Sequence, residues 1–169
     1  MKKVLLFLVA IVSVLHTSAQ EIDSLNYHFA AISIDSLSIR LNNLQHDYDF
    51  LFCDYQLHKI IADLKDLAHS INNSSNGVVI NYYNGRYDRA LYTSYVNKYD
   101  SDCALFDALK ENFESVGAFV AVKTVSSGFT EKEINVLNAS FRVIEKAVIN
   151  VESALQYYDV AINAYRSKR

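Results

Sequence analysis

Residues 131–166 read EKEINVLNASFRVIEKAVINVESALQYYDVAINAYR. Apolar side chains recur along this stretch in alternating steps of three and four over more than four heptads, which predicts a long helix with one continuous apolar seam. Thr130 followed by Glu133 predicts a capping box at its start. We call the apolar positions the last seam: Ile134, Leu137, Phe141, Ile144, Val148, Val151, Leu155, Tyr158, Ile162 and Tyr165.

The same spacing predicts two more long helices, and we name their apolar positions in the same way. The middle seam consists of Tyr92, Tyr95, Tyr99, Asp102, Phe106, Leu109, Phe113, Val116 and Val120. The first seam consists of Ile34, Leu37, Leu41, Leu44, Tyr48, Leu51 and Tyr55. The second seam consists of Cys53, Leu57, Ile60, Leu64, Leu67 and Ile71. The first and second seams overlap at residues 50–53, where we expect the helix to change the neighbour that it faces.

Turn signals separate the three predicted helices. Asn76-Gly77 is the strongest of them, and Asn84-Gly85 follows. We therefore predict helices over about 23–71, 87–125 and 131–166 in an all-α, antiparallel, up-down-up bundle with coiled-coil-like seams. Ile22-Asp23-Ser24-Leu25 recurs as Ile34-Asp35-Ser36-Leu37, which leaves open a short extra N-terminal helix before a second helix start.

The N-terminus is typical of a secretory signal peptide. Lys2 and Lys3 precede an apolar run of about 12 residues, and Thr17 and Ala19 occupy the small-residue positions before a cleavage site. We expect cleavage after Ala19, so that a signal peptide of residues 1–19 precedes one helical-bundle domain of residues 20–169. The alternative is an uncleaved anchor, although a bilayer-spanning helix needs roughly 20 apolar residues. The predicted location is periplasmic or secreted, in a bacterium.

Composition excludes several classes of protein. Of 169 residues, 51% are hydrophobic and 12% aromatic, which is too apolar for a disordered chain. Four Gly and no Pro exclude collagen-like sequence, and two Cys exclude a disulfide-dense scaffold. Without the two lysines of the signal segment, 14 basic residues stand against 19 acidic ones. This acidic balance disfavours nucleic acid and anionic membrane surfaces as partners.

The two cysteines predict a disulfide bond. In an antiparallel helix hairpin, facing residues have a constant sum of positions, and a turn at 76–78 sets that sum near 156. Cys53 and Cys103 fulfil it, and an exported protein meets oxidising conditions. We therefore predict a Cys53–Cys103 bridge between the first two helices. The alternative is a pair of buried free thiols.

Catalytic and metal-binding signatures are not evident in the sequence. His28, His46, His58 and His69 all fall in the first predicted helix, and the inner stripes carry none of the Glu residues that a di-iron bundle needs. We interpret them as surface histidines and predict no metal site, no cofactor and no enzymatic activity. Asp102 is the one polar member of the middle seam. We expect it to lie at the edge of the seam and to reach water, with a role in fixing register as the alternative.

A tyrosine-rich stretch is the candidate binding patch. It combines Tyr with Asn and Arg, residue types that are enriched at binding surfaces. The patch consists of Tyr82, Tyr83, Asn84, Arg86, Tyr87 and Arg89. The alternative is that these tyrosines cap the bundle core with their hydroxyl groups in water.

Two functions follow from these observations. The first is an exported, non-catalytic interaction or scaffold module that binds a partner protein or a glycan through this patch. The second is a carrier or sensor of a small ligand, with a pocket between the helices near Phe50 and Phe52. Sustained heptads also make a homo-oligomer possible, and they fit either function.

Overall fold

The computed structural model describes residues 24–85, 87–126 and 128–168, and side chains from residue 34 onward. They form three helices and no strand: α1 (Ser24–Tyr83), α2 (Arg89–Val125) and α3 (Glu131–Arg166). The helices pack against each other in an all-α, three-helix bundle, which confirms the predicted fold class. The predicted signal segment and its cleavage site lie outside the described residues. Among the described helices, none has an apolar stretch long enough to cross a membrane.

The chain divides into two compact units, Met1–Gln45 and His46–Arg169. The described part of the first unit is the helical stretch 24–45, which runs without a break through Asp35. A separate helix that begins at Asp35 is therefore not observed. The second unit contains the rest of α1 together with α2 and α3.

The core of the second unit is built by three of the four seams. All members of the second seam are buried, as are most members of the last seam and four of the middle seam. Phe113 and Phe141 meet across α2 and α3 with ring centroids 5.4 Å apart. Burial of a large apolar side chain contributes about 1.5–3 kcal/mol, so these seams dominate the stability of the bundle.

The predicted capping box at the start of α3 is confirmed, and the start of α2 is capped as well. Thr130 and Glu133 exchange the two hydrogen bonds of a capping box at the start of α3. Asp88 is the N-cap of α2, and its carboxylate accepts from the backbone N–H groups of Ala90 and Leu91. Each cap satisfies N–H groups that a helix start leaves without a partner.

The predicted turn at Asn76-Gly77 is wrong, because α1 continues to Tyr83. Ser75 and Val78 are fully buried and extend the second seam by about two turns beyond Ile71. A glycine inside a helix costs about 1 kcal/mol relative to alanine, and burial of Val78 and its neighbours outweighs that cost. The turn is instead at Asn84-Gly85, where Gly85 adopts a φ of +71° that favours glycine.

Polar contacts between helices define the register of the bundle. Asp49 with Lys123, Ser70 with Lys98 and Asn81 with Tyr95 join α1 to α2, and their position sums lie between 168 and 176. The sum is nearly constant, so the two helices are antiparallel. Contacts between α1 and α3 instead keep a nearly constant position difference, 87 for His46 with Glu133 and 86 for Tyr82 with Lys168. Hence α1 and α3 run parallel.

The first seam differs from the other three. In the described residues of both units, its members are exposed rather than packed, with 47–66% of each residue accessible to solvent. The expectation that this seam faces a neighbour within the chain is therefore wrong. Cys53 and Leu57 of the second seam already face the core of the second unit, so α1 presents Leu51 and Tyr55 to solvent.

Candidate functional site

An open groove lies between α1 and α3 near the α1–α2 turn. Its volume is about 180 Å³. The parallel alignment of α1 and α3 brings the last two turns of α1 beside the last three turns of α3. We call this depression the tyrosine groove, and it is lined by Val79, Tyr82, Tyr83, Tyr157, Val160, Ala161 and Ala164.

Two tyrosines form the exposed rim of the tyrosine groove. Tyr83 is 77% exposed and Tyr157 is 49% exposed. The Tyr83 ring meets the ring of Tyr82 edge to face, with centroids 5.3 Å apart. Aromatic pairs in this geometry are favourable, so the contact helps to orient Tyr83 at the rim.

Lys168 fixes the position of Tyr82 within the groove. Its Nζ donates a 2.6 Å hydrogen bond to the carbonyl oxygen of Tyr82 and lies 4.2 Å from the centroid of the Tyr82 ring. The ammonium group thus binds both the end of α1, where carbonyl groups lack helical partners, and the face of an aromatic ring. This contact also places a positive charge next to the groove.

A second depression continues the tyrosine groove toward the middle of the bundle. It has a volume of about 380 Å³ and shares Tyr157 with the first. Its other lining residues are small or polar: Ala68, Asn72, Asn150, Ser153 and Ala154. The α1–α3 face thus carries an apolar section and a polar section in line, with Tyr157 between them.

The described residues of the predicted binding patch do not lie together on one surface. Tyr82 and Tyr83 line the tyrosine groove, whereas Asn84 lies in the turn and Arg89 is the exposed first residue of α2. Tyr87 is half-buried and packs on Tyr165 of α3, with ring centroids 5.5 Å apart. Tyr87 therefore fits the alternative interpretation, a cap over the core. Arg86 lies outside the described residues.

Sequence reasoning missed the α3 side of the groove. Tyr157 and Val160 do not belong to the last seam, and their apolar character off the seam was the available signal. Their proximity to Tyr82 follows only when α1 ends at Tyr83, which the turn signal at Asn76-Gly77 concealed.

Both cysteines are free thiols, so the predicted Cys53–Cys103 bridge is absent from the structure. The observed register places Cys103 about 16 residues along α1 from Cys53, roughly 24 Å at 1.5 Å per residue. A disulfide requires Cα atoms within about 7 Å. Burial, with a further contribution from the nearby Asp49 carboxylate, raises the pKa of the Cys53 thiol despite the opposing effect of Lys123, so Cys53 stays protonated.

The expectation that Asp102 lies at the edge of the middle seam and reaches water is wrong. Asp102 is 3% exposed, and its Oδ1 accepts a hydrogen bond from Lys98, which also donates to Ser70 of α1. The described residues provide no hydrogen-bond partner for Oδ2. Nearby, burial and the Asp102 charge raise the pKa of Tyr158 to about 12. Lys98 thus connects Asp102 of α2 to Ser70 of α1, in agreement with the alternative that Asp102 fixes register.

The histidines with described side chains do not assemble into a site. His46 contacts Glu133 at 3.1 Å, His58 contacts Asp54 one turn earlier, and His69 is exposed. Within the described part of the chain, no three His, Cys, Asp or Glu side chains converge as metal ligands would.

Comparisons with known proteins add no family to these observations. The chain matches no protein-family model, and no curated protein or solved structure is significantly similar to it.

Proposed function

We propose that this protein is an exported, non-catalytic interaction module, and that the tyrosine groove binds an apolar segment of a partner protein. The observation that carries the proposal is the pair Tyr83 and Tyr157, both solvent-exposed at the rim of an apolar depression. Exposed tyrosines that surround a small apolar pocket are typical of interface hot spots, because a partner side chain buries both the pocket and the rings.

The lining of the groove favours a protein partner. The tyrosine groove has a volume of about 180 Å³ and a floor of aliphatic side chains such as Val79 and Ala161. That space suits one or two apolar side chains of a partner.

The adjoining depression supports a helical partner segment. Its small residues Ala68 and Ala154 allow the close approach of a helix, and Asn72, Asn150 and Ser153 can bind the polar side chains of such a helix. A helix along this face would place its apolar end in the tyrosine groove. The positive charge of Lys168 favours an acidic residue at that end of the partner.

The described ion pairs support a non-catalytic role. Lys98 pairs with Asp102 within α2, Lys123 of α2 pairs with Asp49 of α1, and none of these four residues lines the groove. The carrier interpretation placed a pocket near Phe50 and Phe52. Phe50 packs against Phe129 of the α2–α3 turn, with ring centroids 6.3 Å apart, and Phe52 stacks on Tyr48. Both rings therefore have aromatic neighbours within the chain.

A capture experiment with matched variants tests the proposal. Immobilised wild-type protein is incubated with the extracytoplasmic fraction of its source cell, beside a Tyr83→Ser/Tyr157→Ser variant and a Leu105→Ser control. Leu105 is also an exposed large apolar residue on a helix, but it lies outside the groove and outside the first seam. We expect one protein to be retained by the wild type and the control. The groove variant should retain it at least about tenfold less well, because hot-spot aromatics contribute about 2 kcal/mol or more each.

Three results would contradict the proposal. Equal retention by the groove variant would place the interface elsewhere on the molecule. Retention of a glycan instead of a protein would make the groove a sugar site. Extra mass on the purified protein in native mass spectrometry would favour the carrier. The thermal melt of each variant, followed by circular dichroism, separates lost binding from lost folding.

A further inference from the structure

The first seam leaves a complete heptad face of α1 without a partner. In the first unit it contributes Ile34, Leu37, Leu41 and Leu44, and all four are exposed. In the second unit it contributes Tyr48, Leu51 and Tyr55, which are exposed as well. Single exposed apolar residues are ordinary, but seven at uninterrupted three-four spacing are the signature of a coiled-coil seam.

We propose that the first seam pairs with the first seam of a second copy of this chain, in antiparallel orientation. Coiled-coil pairing depends on apolar residues at the a and d positions, and the first seam has one at each of them over three heptads. In the antiparallel arrangement, Leu41 packs beside the partner's Leu44 at the centre. Leu37 packs beside the partner's Tyr48, and Ile34 packs beside the partner's Leu51.

Charges on the flanks of the seam select the antiparallel second copy. Arg40 and Asp47 occupy equivalent flanking positions one heptad apart, and both are exposed. Antiparallel pairing at this register places Arg40 beside the partner's Asp47, and symmetry makes this contact twice. Parallel pairing would place Arg40 beside the partner's Gln45, and Asp47 beside the apolar ring of the partner's Phe52. Flanking charges set partner choice and orientation in coiled coils, so the sequence favours the antiparallel form.

This inference does not rest on the proposed function, because the first seam and the tyrosine groove have no residue in common. Failure of one leaves the other standing. A variant of the first seam should still bind a groove partner, and a groove variant should still self-associate.

The mass of the full chain in solution tests the pairing. Sedimentation analysis over a range of concentrations should give a dimer for the wild type and a monomer for Leu44→Asp. The matched control is Ile80→Asp, because Ile80 is an equally exposed apolar residue of α1 outside the first seam, 60% against 66% for Leu44. We expect this control to remain dimeric. A monomeric wild type, or a dimer that persists in Leu44→Asp, would overturn the proposal.

Charge exchange tests the orientation separately. Arg40→Asp and Asp47→Arg each place like charges together twice in an antiparallel homodimer, so each variant alone should dimerise about tenfold more weakly. An equimolar mixture of the two restores both opposite-charge contacts, and heterodimers should recover wild-type affinity. In a parallel dimer the mixture has no such contacts to restore. A dimer whose affinity is unaffected by the single exchanges, or is not recovered in the mixture, would overturn the antiparallel arrangement.

Discussion

The hydroxyl oxygen of Tyr165, in the last turn of α3, accepts a 2.9 Å hydrogen bond from the backbone N–H of Asp88, the N-cap of α2. Tyr165 is fully buried, and its ring lies between those of Tyr87 and Tyr95. One side chain thus joins the end of α3 to the start of α2. This contact holds the turn that follows Tyr83, and so it supports the end of the bundle that carries the tyrosine groove.

Tyr165→Phe should destabilise the protein by about 1–2 kcal/mol, because it leaves the Asp88 N–H without this acceptor while it preserves the ring. Urea unfolding followed by circular dichroism measures the change. The matched control is Tyr157→Phe, whose side chain is half in water, and it should change the free energy of unfolding by less than about 0.5 kcal/mol. Equal effects of the two substitutions would contradict the role assigned to Tyr165.

Gly77→Ala should stabilise the protein by about 0.5–1 kcal/mol, because Gly77 is inside α1 and a Cβ there meets no atom within 4 Å. Gly85→Ala is the opposite case, since its φ of +71° strains an alanine, and it should destabilise by about 1 kcal/mol. Thermal or urea unfolding checks both signs. A destabilising Gly77→Ala would indicate that the turn is at Asn76-Gly77 after all.

The two thiols should react at different rates. Cys103 is half-buried, whereas Cys53 is fully buried and its raised pKa keeps it protonated. Timed alkylation of the native protein, followed by intact mass, should show one fast addition at Cys103 and a second at Cys53 only on unfolding. Reduction beforehand should leave the mass unchanged. A gain of two protons on reduction, or equal rates, would contradict the observed register.

Acidic pH should destabilise the first turn of α3, because the Glu133 carboxylate becomes protonated. Partial burial acts to raise the pKa of Glu133, but hydrogen bonds from Thr130 and the contact with His46 outweigh it, so the pKa lies below its ordinary value of 4.5. A carboxyl whose pKa is lowered by folding adds stability above its unfolded pKa and loses it as the pH falls through the folded pKa. The free energy of unfolding should therefore fall below about pH 4.5.

Glu133→Gln tests this acid dependence. It should cost more stability at pH 7 than at pH 3, because Glu133 is protonated and its advantage is lost at the lower pH. The control is Glu131→Gln on the same turn, whose effect should change less between the two pH values. A pH-independent effect of Glu133→Gln would contradict the assigned interactions.

The seams that build the core were predictable from sequence, because burial in a bundle follows heptad spacing. Leu57, Ile144 and Val151 lie where their periodicity places them. The end of α1 was not predictable from local signals, because Asn76-Gly77 favours a turn locally while Val78 gains more by burial within a helix. That error carried over to the cysteine pairing, since the assumed turn set the register. It also concealed the α3 half of the tyrosine groove.

The environment of a single polar residue was not predictable from sequence, because it depends on tertiary contacts. Asp102 is buried because Lys98, one turn earlier, reaches it and Ser70 of the neighbouring helix at the same time. Periodicity alone does not show that the Lys98 side chain contacts both of these residues. The exposure of the first seam likewise follows from which of two overlapping seams packs into the core, and sequence spacing leaves that choice open.

Site-specific photo-cross-linking in living source cells tests the central claim most directly. A benzophenone amino acid replaces Tyr157 at the rim of the tyrosine groove, Tyr83 on the opposite rim, or Leu105 on the exposed face of α2 as the control. We expect positions 157 and 83 to cross-link to the same partner protein through one short apolar segment, and position 105 to give no such product. Cross-linking to that partner from position 105 alone, or from none of the three, would contradict the assignment of the tyrosine groove as the binding site.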